Sequence, residues 1–208
     1  MKKSSLIIAF CLCIVALNAQ TMSEKDFPIV QKIMTENLKY QTIVSQFKQV
    51  KHIPMFGDDV VSSGDFYYRK PEELALKFTD PAGDLMLLNG DKFVMVASGK
   101  RRETTATSNQ LMGGMKLILS ACLQGNAVQM GAKKIVVEET ATQYILTADL
   151  DQATNKSGFK QVVASYDKAD YSLSVLKTIE KDGSFTTYEL KGKKINQPID
   201  DSLFNTKK

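Results

Sequence analysis

The sequence predicts a mainly β (α+β) protein: an antiparallel meander that curls into a barrel or a strongly bent sheet, accompanied by two helices. Three observations lead there. Short segments alternate apolar and polar residues with period two, turn-forming residues separate them at close intervals, and two longer stretches switch to helical spacing. Composition agrees. Of 208 residues, 43% are hydrophobic and 24% charged, the balance of a chain that buries a core, not of a disordered, collagen-like or polytopic membrane chain. A formal net charge of +4 is too small to point to nucleic acid.

Residues 1–20 read as a cleavable export signal. Lys2 and Lys3 form a basic start, and Leu6 to Leu17 is an apolar run of about twelve residues before Ala19 and Gln20, where cleavage is expected. The run is too short to span a bilayer, which takes about twenty. Cys11 and Cys13 follow Phe10 and Leu12, bulky residues unsuited to a lipidation site. Residues 21–208 are expected to form one soluble, exported, monomeric domain. With Lys2 and Lys3 removed, 25 basic against 23 acidic residues leave a charge of +2. Cys122 is then the only thiol, so no disulfide framework supports the fold.

The first helix is expected from Ser23 to Lys39, where Phe27, Val30, Ile33, Met34 and Leu38 recur at spacings of three and four, with Ser23 or Asp26 as cap. Extended chain follows from Ile43 to Val50. The period then becomes two: in Glu73 to Thr79, Leu74, Leu76 and Phe78 share one face while Glu73, Lys77 and Thr79 share the other. Further strands are predicted at Asp65–Arg69, Leu85–Leu88, Lys92–Ala97, Gln143–Leu150, Phe159–Tyr166, Tyr171–Glu180 and Phe185–Leu190. The turns Asp80-Pro81-Ala82-Gly83, Asn89-Gly90-Asp91, Ser98-Gly99-Lys100 and Asp182-Gly183 punctuate them. The second helix is predicted from Leu111 to Leu123, with a stripe of Leu111, Met112, Met115, Ile118, Leu119, Cys122 and Leu123, a cap at Ser108 or Asn109 and a stop at Gly125. Gly113 and Gly114 weaken its first turns by about 1 kcal/mol each. Periodicity alone leaves this helix as either a movable lid or a permanent plug.

Catalytic constellations are missing. There is no G-x-S-x-G, P-loop, G-x-G-x-x-G or H-E-x-x-H motif. His52 is the only imidazole, so neither a zinc triad nor histidine catalysis is expected. Asp58, Asp59 and Asp65 read as loop acids, and Lys100-Arg101-Arg102 as a solvated hairpin tip or a docking point for an acidic partner. No enzyme activity, cofactor, metal or nucleic acid is expected. What the chain has in quantity is deformable apolar surface: eight methionines follow residue 20, and methionine suits cavities for irregular apolar ligands as well as ordinary cores. The expected lining of a lipid-binding cavity, which the resemblance below makes an acyl-chain site, is Phe47, Phe66, Tyr68, Leu74, Leu76, Phe78, Met86, Leu88, Phe93 and Met95. Leu111, Met112, Met115, Ile118 and Leu119 are expected to cover it as the lid.

These segments, in order, resemble the LolA-type periplasmic lipoprotein carriers. Ser45-Gln46-Phe47-Lys48-Gln49 is similar to the family's Phe-x-Gln strand, and Gly64 to Pro71 to its glycine, aromatic strand and basic-proline turn. Leu76-Lys77-Phe78 with Asp80-Pro81, and Leu88 to Phe93, resemble the next two strands. Phe159-Lys160-Gln161-Val162 and Ser184 to Leu190 resemble the closing ones. The resemblance implies an unclosed antiparallel β-barrel (a strongly curved sheet) with a helical lid, and a cavity for lipoprotein acyl chains. It also implies handover from an inner-membrane ABC-type lipoprotein release complex to an outer-membrane acceptor or the outer membrane itself. In the family an arginine before the turn proline latches the lid. Here Lys70 holds that place and Arg69 precedes it, so the two are the latch candidates, facing opposite sides of a strand. A sensor or scaffold for a lipid or lipoprotein on the same half-barrel is the alternative reading.

Overall fold

The computed structural model describes residues 22–153 and 155–206; the predicted signal at 1–20 lies outside them. After helix α1 (Phe27–Asn37) come six strands, β1 (Thr42–His52), β2 (Val60–Arg69), β3 (Glu73–Asp80), β4 (Ala82–Asn89), β5 (Lys92–Ala97) and β6 (Lys100–Thr105). Helix α2 (Gln110–Leu123) and a 3-10 turn at Ala127–Met130 lead to β7 (Ala132–Glu139), β8 (Gln143–Leu150), β9 (Phe159–Asp167), β10 (Leu173–Glu180) and β11 (Phe185–Ile195). All eleven strands form one antiparallel sheet in the order β6-β5-β4-β3-β2-β1-β11-β10-β9-β8-β7, which is not closed. This is the open, strongly curved sheet with helices that the sequence predicts.

The order has one strict consequence. β6 and β7 are the two edges, and the chain between them is α2 with its flanking turns. Covalent connectivity therefore carries α2 across the opening, and its apolar stripe falls on the concave face. That face is built in cross-strand rows. Phe66, Leu76, Met86 and Met95 are successive register partners from β2 to β5, as are Tyr68, Leu74, Leu88 and Phe93. All of these side chains except Met95, which is partly exposed, join Ile118, Leu119, Cys122 and Leu123 of α2 and Val30 and Ile33 of α1 in a single core.

The helices are shorter or better fixed than periodicity alone suggests. α1 begins at Phe27, not Ser23, because Asp26 is drawn inward: its Oδ2 accepts from the Val137 backbone N–H. Met22 pairs with Ile135 by a parallel bridge, so the chain before α1 covers the β7 edge. At α2 the cap is Asn109, whose Oδ1 accepts from Leu111 N at 3.1 Å and Met112 N at 3.2 Å.

A second, smaller core lies on the outer face. Ala75, Leu87 and Val94 are covered by Phe204, from a 3-10 turn at Asp201–Phe204, together with Ile199 and Leu203. The C-terminal segment is thus a strap across the convex side of β3 to β5. Lys100-Arg101-Arg102 is exposed beside the Ser98-Gly99 turn, as a solvated tip would be, but it also begins edge strand β6, with Arg101 bonded to Glu103 and to the Thr206 carbonyl. β7 has no counterpart among the predicted strands.

Candidate functional site

The concave face is filled unevenly. The second half of α2 sits deep: Ile118, Leu119, Ala121, Cys122 and Leu123 are buried, and the Tyr166 hydroxyl donates to the Cys122 carbonyl at 2.8 Å. Burial pushes the Cys122 thiol up to about 12. The first half stands off the sheet and leaves a cavity of about 470 Å³. Leu111, Met112 and Met115 form its helical wall, and Phe78, Met86 and Met95 face them from the sheet. Met95 and Leu111 are 41% and 40% exposed, which places them at the mouth.

The expected site residues therefore divide by depth. Phe78, Met86, Met95, Leu111, Met112 and Met115 border the open cavity. Phe47, Phe66, Tyr68, Leu74, Leu76, Leu88, Phe93, Ile118 and Leu119 lie in the packed core, where helix and sheet are already in contact. Phe47 and Phe78 meet edge to face at 5.1 Å, and beside them Gly64 lets the backbones of β2 and β3 come close. A Cβ at Gly64 would fall 2.0 Å from the Lys77 carbonyl oxygen.

The glycines of α2 have a packing role that helix propensity does not suggest. A Cβ on Gly113 would stand 2.7 Å from the Ala106 carbonyl oxygen, and one on Gly114 would stand 2.1 Å from Ser157 Cβ. Both glycines let the start of α2 press against neighbouring backbone and the loop before β9.

The latch candidates point away from the α2 cover. Arg69 is on the outer face: it pairs with Glu73 and Asp201, both at 2.5 Å, and lies 4.8 Å from the Phe204 ring. These two carboxylates, Glu73 first, raise its already high pKa further. It thus fastens the C-terminal strap. Lys70 donates to the carbonyls of Asn37 at 3.0 Å and Leu38 at 2.8 Å, closing the end of α1, and burial lowers its pKa. The contacts of α2 with the same turn come from residues the sequence did not single out. Lys116 Nζ lies 2.9 Å from Glu72, and Gln124 Nε2 donates to the Pro71 carbonyl at 3.5 Å.

Sequence reasoning also missed one wall of the cavity. Gln49, Lys51, Ser62, Glu180, Thr186 and Tyr188 line it from β1, β2, β10 and β11. The signal was present: Phe47, Gln49 and Lys51 share a face by period two, so the inner side of β1 turns polar towards its end. Gln49 Nε2 donates to the Tyr188 hydroxyl at 2.9 Å, and burial pushes Tyr188 up to about 12. Glu180 is raised by burial and by Asp182, with Lys51 acting against them.

His52 is on the outer face, bonded to Asp59 at 2.7 Å and stacked on Phe185 at 4.9 Å. Among the described residues, no group of three or more His, Cys, Asp or Glu side chains is placed to hold a metal ion. No helix of the described residues is long and apolar enough to cross a membrane.

An open antiparallel half-barrel with a helix strapped between its edges over an apolar cavity defines a class of binding fold. The chain belongs to the LolA family: the family model described as outer membrane lipoprotein carrier protein LolA matches residues 38–207. No curated protein matches it. Among solved structures it is similar to an uncharacterized conserved protein from Thermus thermophilus (TM-score 0.51, 8% identity, covering 86% of this chain and 93% of that one). It is also similar to a DUF1329 family protein from Desulfovibrio piger (TM-score 0.50, 14% identity, 88% and 96%). At these identities the likeness is one of fold.

Proposed function

We propose that the chain is a periplasmic carrier that holds the acyl chains of lipoproteins in the concave cavity and shuttles them from the inner to the outer membrane. One observation supports this above the rest. The cavity faces methionines of the sheet, Met86 and Met95, with methionines of the helix, Met112 and Met115, so both walls can reshape around a chain. Its volume falls within the roughly 300–1,000 Å³ of small-ligand sites, and displacement of the first half of α2 would enlarge it.

The physical need is plain. Each methylene exposed to water costs about 0.8 kcal/mol, so an anchor of roughly forty methylenes costs on the order of 30 kcal/mol in water. Such a molecule crosses an aqueous gap only with its chains covered. The work requires apolar concavity and no bond chemistry. The partners on this reading are an inner-membrane ABC-type release complex as donor and an outer-membrane acceptor, or the outer membrane itself, as recipient.

The test is native mass spectrometry of the protein purified from its own periplasm, beside a Met95→Glu variant. Met95 is partly exposed, so its replacement spares the fold while placing a charge in the cavity mouth. Lipoprotein should accompany the wild type and be lost from the folded variant. A stoichiometric protein partner with no lipid on either form would replace the carrier reading with that of a sensor or scaffold.

A further inference from the structure

The cavity is two-sided, and an apolar cargo alone does not account for that. From β3, β4, β5 and α2 it presents Phe78, Met86, Met95, Met112 and Met115. From β2, β1, β11 and β10 it presents hydrogen-bonding groups in register. Ser62, Gln49 and Tyr188 are successive cross-strand partners, and Lys51 and Thr186 are paired in the adjoining row. One row in the other direction, Phe47 and Leu190 are paired and buried. The wall therefore grades along the strands from apolar in the interior, through Gln49 and Tyr188, to Lys51 and Thr186 nearer the mouth. A molecule fitting this gradient has a hydrocarbon end, a polar but uncharged junction and a hydrated end.

The junction level is set by Tyr188. Its ring is buried, and its hydroxyl oxygen accepts from Gln49 Nε2, which leaves the hydroxyl's own proton to donate. Among the described residues no acceptor for that proton is present. With its pKa raised, the phenol remains a neutral donor throughout the physiological range. Farther out, one basic residue, Lys51, and two acidic ones, Asp84 and Glu180, are on the lining. That balance does not favour a free carboxylate over a neutral linkage.

We propose that Tyr188, oriented by Gln49, donates a hydrogen bond to the ester or amide carbonyl joining an acyl chain to its headgroup. The site thereby prefers carbonyl-linked acyl chains to bare hydrocarbon. This rests on the acyl-chain reading above and adds what the polar wall recognises. Gln49 is a positioning residue; Tyr188 makes the contact. A hydrocarbon-only pocket gains nothing from a desolvated hydroxyl, whereas a few well-placed polar groups in an apolar site fix a ligand's orientation.

The test uses three pyrene-labelled probes of one chain length: an alkane, its methyl ester and its N-methylamide. Binding to the purified protein is followed by fluorescence. The wild type should bind the ester and the amide about three- to tenfold more tightly than the alkane, the effect of one hydrogen bond. Tyr188→Phe keeps the ring and should abolish that preference. Gln49→Leu should reduce the preference without touching the hydroxyl. A preference that survives intact in both variants overturns the proposal. Equal binding of all three probes by the wild type also overturns it and leaves the acyl-chain reading standing. Failure to bind any of the three removes the acyl-chain reading, and the proposal with it.

Discussion

If cargo enters the cavity, α2 should give way at its first half only. Ile118, Leu119 and Leu123 are almost completely buried, and each such side chain is worth about 1.5–3 kcal/mol when covered. Releasing all three costs about 5–9 kcal/mol, a large part of the ~5–15 kcal/mol that holds a whole domain folded. Leu111 is already 40% exposed and Met112 and Met115 are half-buried, so moving the first half costs far less. Cys122 and Leu111 report on the two halves separately. Among the described residues Cys122 is the only thiol. Burial pushes its pKa up to about 12, so the thiol is protonated at pH 8 as well as inaccessible. A disulfide reagent should label the folded wild type very slowly, and a detergent below its micelle threshold or a bound lipoprotein should not change that rate. In a Cys122→Ala, Leu111→Cys double variant, the same ligands should change labelling several-fold. Faster labelling of Cys122 with ligand, in step with Leu111→Cys, would show that α2 leaves as a unit and would refute the divided helix.

Three further outcomes follow from the packing. Gly114→Ala should lower stability by about 1–3 kcal/mol, because its Cβ would overlap Ser157, and Gly113→Ala should do likewise against the Ala106 carbonyl; an unchanged thermal midpoint would contradict this. Arg69→Ala should loosen the C-terminal strap. Because Asp201 is 88% exposed, its pair with Arg69 is worth at most about 1 kcal/mol, so the expected signature is faster proteolysis within 199–206 and not global unfolding. Asp167 should make the fold acid-sensitive: burial alone would raise its pKa, but bonds from Lys193, Gln143 and Ser174 outweigh that and lower it. A carboxylate depressed in the folded state adds stability above its unfolded pKa, near 3.9, and that stability is lost as pH falls through the folded value. Asp167→Asn should therefore flatten the acid limb of the thermal-midpoint profile, and an identical limb would count against the pair.

The sheet from β2 to β5 was legible because its two faces differ in chemistry. Leu74, Leu76 and Phe78 alternate with Glu73, Lys77 and Thr79, and the observed register sets those apolar residues on the concave side. β6 was not legible as a strand. Lys100 to Thr105 carries no apolar alternation, and its extended form comes from pairing with β5 at an open edge, where charged residues also discourage further strands. β7 was hidden for another reason. A register shift between Ala132 and Lys134 brings Ala132 and Ile135, three residues apart, to the buried side, so period two fails at its start. For the candidate site, strand parity separates Arg69 from Tyr68, but no local pattern says that the C-terminal segment returns to meet Arg69. That contact joins residues 132 positions apart.

The same distinction separates the apolar stripe of α2, which the sequence carries, from its place over the cavity and its fastening, which only the topology supplies. Once β6 and β7 are the two edges, the segment between them has to cross the opening, and a stripe such as Leu111 to Leu123 is covered only by turning towards the sheet. Which side chains then hold it depends on the curvature of the sheet. That curvature brings the β2–β3 turn within 2.9 Å of Lys116 at the middle of α2, and the loop before β9 against Gly114 at its start. Each contact involves a residue type too common to mark a role in sequence. Together they divide α2 into a docked half and a half whose apolar partners are the methionines and aromatic groups of a partly open cavity. On the carrier reading, a helix held in this way would present an adjustable wall without leaving the fold, which is the mechanical property that variable acyl chains require.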